Sequence, residues 1–390
     1  SVNTTISGRP VAQWTLAVNY LLSKHDPGGY HFVNLLIHLA CASLLFLLVR
    51  DTAGRTTWGR RHAHERWWLA LALAAWWTVH PLQTQAVTYI VQRTEALAAL
   101  FYVLTLYAAM RADRAPAGSR RWPLVALAAC WLGMATKEFV VSAPLAVVLY
   151  DWVFTNRSPR ELVTRRARFY AGLFAAWVVI LPLVTLGTQN VTHGQTQLSS
   201  IAYLRIQAEV LVHYLRLAVY PVGQVFDYYR WPVPELDAAW LLRAGALAAA
   251  CGAGVTAAVK RRWVAFPLLL FFFLLAPTSS ILPLYDQAWE YRMYLPLACV
   301  LLLILAGGLA LAHLGPVAAR GREATARAVL GIALAGILLW HAGLTHARNR
   351  VYHSEQAVWA DTVAKRPGNA RAYMNLGELL VRQGRRKEGM

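Results

Sequence analysis

The stretch YHFVNLLIHLACASLLFLLV, Tyr30–Val49, holds no Asp, Glu, Lys or Arg and is followed at once by Arg50. As a helix rising 1.5 Å per residue it covers about 30 Å, the hydrocarbon thickness of a bilayer. Its few polar side chains, His31, Asn34 and His38, recur at steps of three and four and so share one face. The segment reads as a membrane span with that face turned toward other protein.

Working outward, further apolar runs occupy Trp67–Val79, Thr88–Met110, Trp122–Thr136, Ser142–Phe154, Phe169–Leu186, Ala238–Val259, Trp263–Ile281, Tyr294–His313 and Ala328–Leu344. Together they predict an all-α polytopic membrane helical bundle with ten spans. Composition agrees, since 57% of the 390 residues are hydrophobic against roughly 45–50% in soluble domains.

The formal charge of +19 is not spread evenly. Lys and Arg number five in 50–66, four in 111–121, five in 157–168, three in 260–262 and three in 320–327, all alternate connections. The positive-inside rule puts these connections in the cytoplasm. Ser1–Gly29, His80–Val87, Gly187–Asp237, Leu282–Tyr291 and the tail then face outward. Because the basic residues serve orientation, nucleic acid is not an expected partner. Cys41, Cys130, Cys251 and Cys299 lie in apolar runs without CxxC spacing, which argues against a zinc or disulfide framework.

Parity places both flanks of Ser199–Tyr220 outside, so this stretch is expected to lie in the interface, with Arg205, Gln207, Glu209, His213 and Arg216 interleaved among apolar residues. The domain reading is therefore 1–29, the end of an outer loop with an interfacial helix; 30–345, the bundle; and 346–390, an outward tail. Trp67–Val79 and Trp122–Thr136 are short for a span, which suggests sunken outer ends at His80-Pro81 and Lys137-Glu138 and a polar cavity there.

Ionisable side chains at membrane depth are functional candidates by default. Arg93 and Glu95 open the third run, Lys137-Glu138 follows the fourth, and Asp286, Glu290 and Arg292 gather before Tyr294. Each has a structural alternative. Asn34 and His38 can bond neighbouring helices, Arg93 can pair with Glu95, and Tyr285, Trp289, Tyr291 and Tyr294 suit an aromatic belt. Arg292 has the fork geometry that holds phosphate oxygens. In the tail, Ala372-Tyr373-Met374-Asn375-Leu376-Gly377 with Leu380 and Gly384 is similar to the first helix of a tetratricopeptide repeat. A chain opening at Ser1 and closing at Met390 within such a repeat is expected to be a piece of a longer protein.

Gly8-Arg9-Pro10, Tyr30-His31-Phe32-Val33-Asn34, His80-Pro81 through Arg93, Lys137-Glu138, and Tyr291-Arg292-Met293-Tyr294-Leu295-Pro296 occur in that order. The ordered set resembles the bacterial relatives of the transmembrane and tetratricopeptide repeat-containing O-mannosyltransferases, a family of C-type glycosyltransferases. The resemblance implies transfer of a sugar, mannose, from a polyprenyl-phosphate donor to a protein hydroxyl on the outer face of a bacterial inner membrane. It also implies a periplasmic or extracellular tail engaging the acceptor protein, and a divalent metal, Mg or Mn, as the cofactor.

Related enzymes carry a catalytic Asp in the first outer loop. No acid precedes Asp26 here, so that base is expected upstream of Ser1, and Asp26 is not put in its place. The remaining expectations are Glu138, Asp286 and Glu290 as catalytic carboxylates, Arg292, Arg93 and Lys137 as phosphate-binding cations, and His31, Asn34, His80, Glu95 and Asp227 as cavity residues. Two other classes compete, a lipid-linked sugar transporter and a membrane anchor for a protein-binding repeat array. The sequence lacks the internal halves common in transporters.

Overall fold

The computed structural model describes residues 8–116, 118–155, 157–179, 198–314 and 323–385. Among the described residues sixteen α-helices follow one another: α1 (Pro10–Ser23), α2 (Pro27–Ala53), α3 (Thr57–Arg61), α4 (Ala63–Val79), α5 (Thr84–Thr88), α6 (Arg93–Arg114), α7 (Arg121–Met134), α8 (Ala143–Phe154), α9 (Pro159–Ala175), α10 (Ser200–Val219), α11 (Ala238–Val259), α12 (Ala265–Leu275), α13 (Pro296–Leu314), α14 (Glu323–Val351), α15 (Glu355–Lys365) and α16 (Ala370–Arg382). Among the described residues there is no strand.

Helix starts follow local chemistry. Asp26 accepts from the Gly28 backbone N–H at 3.0 Å, with Pro27 at the first helical position of α2. Asp237 does the same for Trp240 at 2.7 Å in α11. Ser158 and Glu161 form a reciprocal capping box at α9. Each satisfies an N–H that the first turn of a helix leaves without an internal partner.

Among the described residues four helices are long and apolar enough to cross a membrane, namely Pro27–Ala53, Ile90–Arg114, Ala238–Val259 and Thr325–Val351, with shorter apolar helices at Arg121–Met134, Ala265–Leu275 and Pro296–Ala312. The chain is a helical membrane protein. The apolar run Phe169–Leu186 is helical through Val179, and its remainder lies outside the described residues, as does Gly187–Gln197 of the following connection.

Burial separates the spans into two kinds. The window of Ile90–Arg114 is 72% buried, because α6 sits in the centre against α2, α7 and α8, whereas that of Thr325–Val351 is 6% buried. Widely exposed Ile332 and Leu339 on α14 face the lipid that such a surface requires. The stretch expected in the interface forms α10. It packs Tyr203, Ile206, Gln207, Val210, Tyr214 and Leu217, a stripe at helical spacing, into the protein, and leaves Ile201, Leu204 and Val219 exposed.

The basic connections 50–66, 111–121, 157–168 and 260–262 all meet at one end of the bundle. There Asp113 takes Arg55 at 3.0 Å and Arg157 at 2.5 Å, and fully buried Asp151 takes Arg166 at 2.6 Å and the Tyr170 hydroxyl at 2.7 Å. Beside this end an apolar cavity of about 360 Å³ is lined by Leu48, Trp58, Phe154, Trp263, Phe266 and Leu302.

Candidate functional site

At the opposite end, short helical turns sit between the longer irregular connections 220–237 and 276–289. Pro81–Gln83 and Ile90–Gln92 lead into α6, Glu138–Ser142 into α8, and Glu290–Met293 into α13. These turns bring Glu95, Lys137, Glu138, Tyr291 and Arg292 around one cavity of about 70 Å³, joined by Arg9 from the residue that precedes α1. The walls behind are Phe139, Leu274, Thr278, Leu284 and Pro296. α7 explains the position of Lys137. Its 14 residues span only about 21 Å, so the lysine that follows sits below the level a full-length span would reach.

Lys137 is 6% exposed, pairs with Glu95 at 2.6 Å, and lies 4.4 Å from the centre of the Tyr291 ring. Burial pushes the Lys137 ammonium below its ordinary range, and Glu95 opposes that shift without cancelling it. Arg9 reaches Glu138 at 2.8 Å, and that carboxylate is about half exposed. Arg292 is buried and donates to the backbone carbonyls of Thr278 at 3.3 Å, Gln287 at 3.1 Å and Asp286 at 2.6 Å. Three of the five N–H groups of a guanidinium fork are thereby fixed, and the fork is held in one orientation. Three cations thus face two carboxylates, an excess of one positive charge in a confined space.

Of the remaining expected site residues, several serve other contacts. Arg93 is fully buried but does not line the cavity. Its Nε donates to Asn34 at 2.6 Å, Nη2 to Asn19 at 2.6 Å and to the Tyr30 carbonyl at 3.1 Å, and Nη1 to the Thr15 carbonyl at 3.2 Å. It ties α1, α2 and α6 together, and Asn34 is one of its partners. His38 bonds the Tyr294 hydroxyl at 2.8 Å and the Thr78 carbonyl at 3.2 Å.

His80 is fixed by the Ala218 carbonyl at 3.1 Å and the Leu82 N–H at 3.2 Å, with His341 edge-on at 4.5 Å. His31 is exposed on α2, apart from the cavity. Glu290 is buried and accepts from Val225 N at 2.5 Å, the Tyr228 hydroxyl at 2.8 Å and Gln224 at 3.2 Å. Its burial raises the carboxyl above its ordinary range. Asp227 and Asp286 are both held by Arg371 of the tail.

The charged cavity residue the sequence reading left out is Arg9. The Gly8-Arg9-Pro10 triplet was its visible signal, since a proline at a helix start fixes where the preceding residue points. Among the described residues no three His, Cys, Asp or Glu side chains converge as metal ligands would. Glu95 and Glu138 are each taken up by a cation, so the residues present do not fit a divalent ion.

No protein-family model matches the chain, and no solved structure matches it. Curated proteins do. The chain is 28% identical over 186 residues to Protein O-mannosyl-transferase tmtc2 of Xenopus laevis, covering 45% of this chain and 21% of that protein. It is 23% identical over 395 residues to Protein O-mannosyl-transferase F38B6.6 of Caenorhabditis elegans, covering 100% of this chain and 53% of the relative. Against Protein O-mannosyl-transferase TMTC3 of Homo sapiens the identity is 32% over 134 residues, 33% of this chain and 13% of the relative. The chain therefore spans about half the length of the worm relative and a fifth of the frog one, and its homologues are proteins named as O-mannosyl-transferases.

Proposed function

We propose that this chain is the membrane part of a glycosyltransferase that moves mannose from a polyprenyl-phosphate carrier to a protein hydroxyl at the end of the bundle opposite its basic connections. The positive-inside rule favours the outer face of the membrane for that end, and the family resemblance is what suggests a bacterial inner membrane. The observation that carries the reading is the cluster of Arg9, Lys137 and Arg292 around one cavity with only Glu95 and Glu138 to balance them.

In such a transfer the acceptor oxygen bonds the anomeric carbon, the carbon–oxygen bond to the lipid phosphate breaks, and the phosphate leaves with the electron pair. Fixed cations lower the barrier because they meet charge that grows on the phosphate in the transition state. Arg292, oriented by three carbonyls, and Lys137 are placed to do this. An arriving phosphate also offsets the burial that disfavours the Lys137 charge. Glu138, half exposed at the same cavity, orients the sugar hydroxyls. The acceptor's proton goes to the first-loop Asp that the family resemblance expects. Arg93 acts at a distance, holding the helices that carry the site.

The test is transfer of mannose from polyprenyl-phosphate mannose by the full-length protein in vesicles. Arg292→Ala and Lys137→Met are expected to lower turnover more than about 100-fold, the scale of losing a preorganised charge partner, with membrane insertion retained. Undiminished transfer by both folded variants would overturn the reading.

A further inference from the structure

The two helices after the last span do not hang free. Arg371, in the first turn of α16, reaches back over the outer turns: its Nε meets Asp227 Oδ2 at 2.5 Å, and its Nη2 meets Asp227 Oδ1 at 2.6 Å and Asp286 Oδ1 at 2.9 Å. Three aromatic rings, Tyr229, Tyr285 and Trp289, surround the guanidinium with centres 5.6, 5.7 and 5.9 Å away. Asp227 is 1% exposed, and Asn369 donates to its carbonyl at 2.8 Å. A charge-assisted, bidentate pair shielded in this way is the strong form of the interaction.

Asp286 is gripped twice. Arg371 holds its side chain, while its own carbonyl takes Arg292 Nη2 at 2.6 Å. The tail and the cavity thus share one residue. We propose that Arg371 is a positioning residue for the cavity: by fixing Asp286 it holds the 284–292 turn where Arg292 faces the lipid phosphate. The C-terminal helices are then a working part of the site. This inference rests on the proposed function for its kinetic part and on geometry alone for its structural part.

A surface pair on the same helix supplies the control. Arg382 donates to Glu378 at 2.6 Å within α16, away from Asp286.

The experiment uses the full-length protein in nanodiscs, with hydrogen exchange of the 284–292 amides beside kinetics with polyprenyl-phosphate mannose. Arg371→Ala should speed exchange across that turn and lower kcat roughly tenfold, the loss expected of one charged hydrogen bond, with the donor KM little changed. Arg371→Lys should recover part of both. Asp286→Ala keeps the Arg371–Asp227 clamp and the docked tail, and should reproduce both effects even where Arg371→Ala undocks the helices. Arg382→Ala should leave both readouts at wild-type values. Wild-type exchange in Asp286→Ala, or a loosened turn with unchanged kcat, would overturn the inference. If Arg292→Ala itself transfers mannose normally, the proposed function falls, and the exchange data still decide whether the tail positions the turn.

Discussion

The two ends of the bundle use the same residue types for different ends. At the basic end, Asp113 and Asp151 are enclosed by Arg55, Arg157 and Arg166, and these pairs tie neighbouring helices and their connections. At the other end, Arg9, Lys137 and Arg292 also have partners, yet they border open space and outnumber the carboxylates there. A charge is structural when its partners close around it. It becomes available for chemistry when the scaffold fixes its position and leaves part of its field unspent.

Four changes bear on that contrast. The largest effect is expected from Lys137→Met combined with Glu95→Gln, which replaces the buried pair by neutral side chains of similar size. Transfer should fall more than about 100-fold, while the thermal midpoint stays close to wild type because no charge is left unpaired; a large drop in the midpoint would make this pair structural as well. Next comes Asp151→Ala at the basic end. It strands Arg166 in a buried setting and should cost about 3–5 kcal/mol in unfolding experiments, with turnover per folded molecule unchanged.

Arg9→Gln is smaller. Its partner Glu138 is half exposed, so stability should change by less than about 1 kcal/mol, while the donor KM rises several-fold in the vesicle assay. The smallest effect concerns pH. The folded Glu290 carboxyl is raised above its ordinary value, so the folded state keeps its proton after the unfolded state has lost it. Stability therefore falls as pH climbs from the unfolded value toward the folded one. Glu290→Gln should flatten that part of the stability-versus-pH curve, and an unchanged slope would show that Glu290 does not cause it.

Much of the fold was legible because hydropathy encodes depth and basic residues encode which end is which. Each of the apolar runs contains helix, and Lys137, Glu138 and Arg292 could be assigned to one end before any geometry was known. What hydropathy does not encode is which helix neighbours which. Arg93 has the depth and charge of a ligand-binding residue, and only the arrival of Asn19 and Asn34 beside it reveals a structural hub. His80 likewise shares the level of the cavity but turns to Ala218. Asp227 and Asp286 needed the tail, more than eighty residues downstream, to be understood. The same blindness hid Arg9, whose role depends on meeting Glu138 across the bundle.

The sparse packing of α14 has a mechanical consequence. Its apolar segment Thr325–Val351 has 27 residues, about 40 Å of helix against about 30 Å of hydrocarbon, a mismatch that lipids and proteins relieve by tilting. Toward its C-terminal end it is pinned by His341 to Trp76 at 3.0 Å, by Thr345 to the Val79 carbonyl at 2.7 Å and by Arg348 to Asp361 at 2.8 Å, while most of its apolar surface stays exposed. Through Arg348 the end of this one strut meets α15 directly, so the last span and the helices that carry Arg371 are joined side chain to side chain as well as by the chain itself.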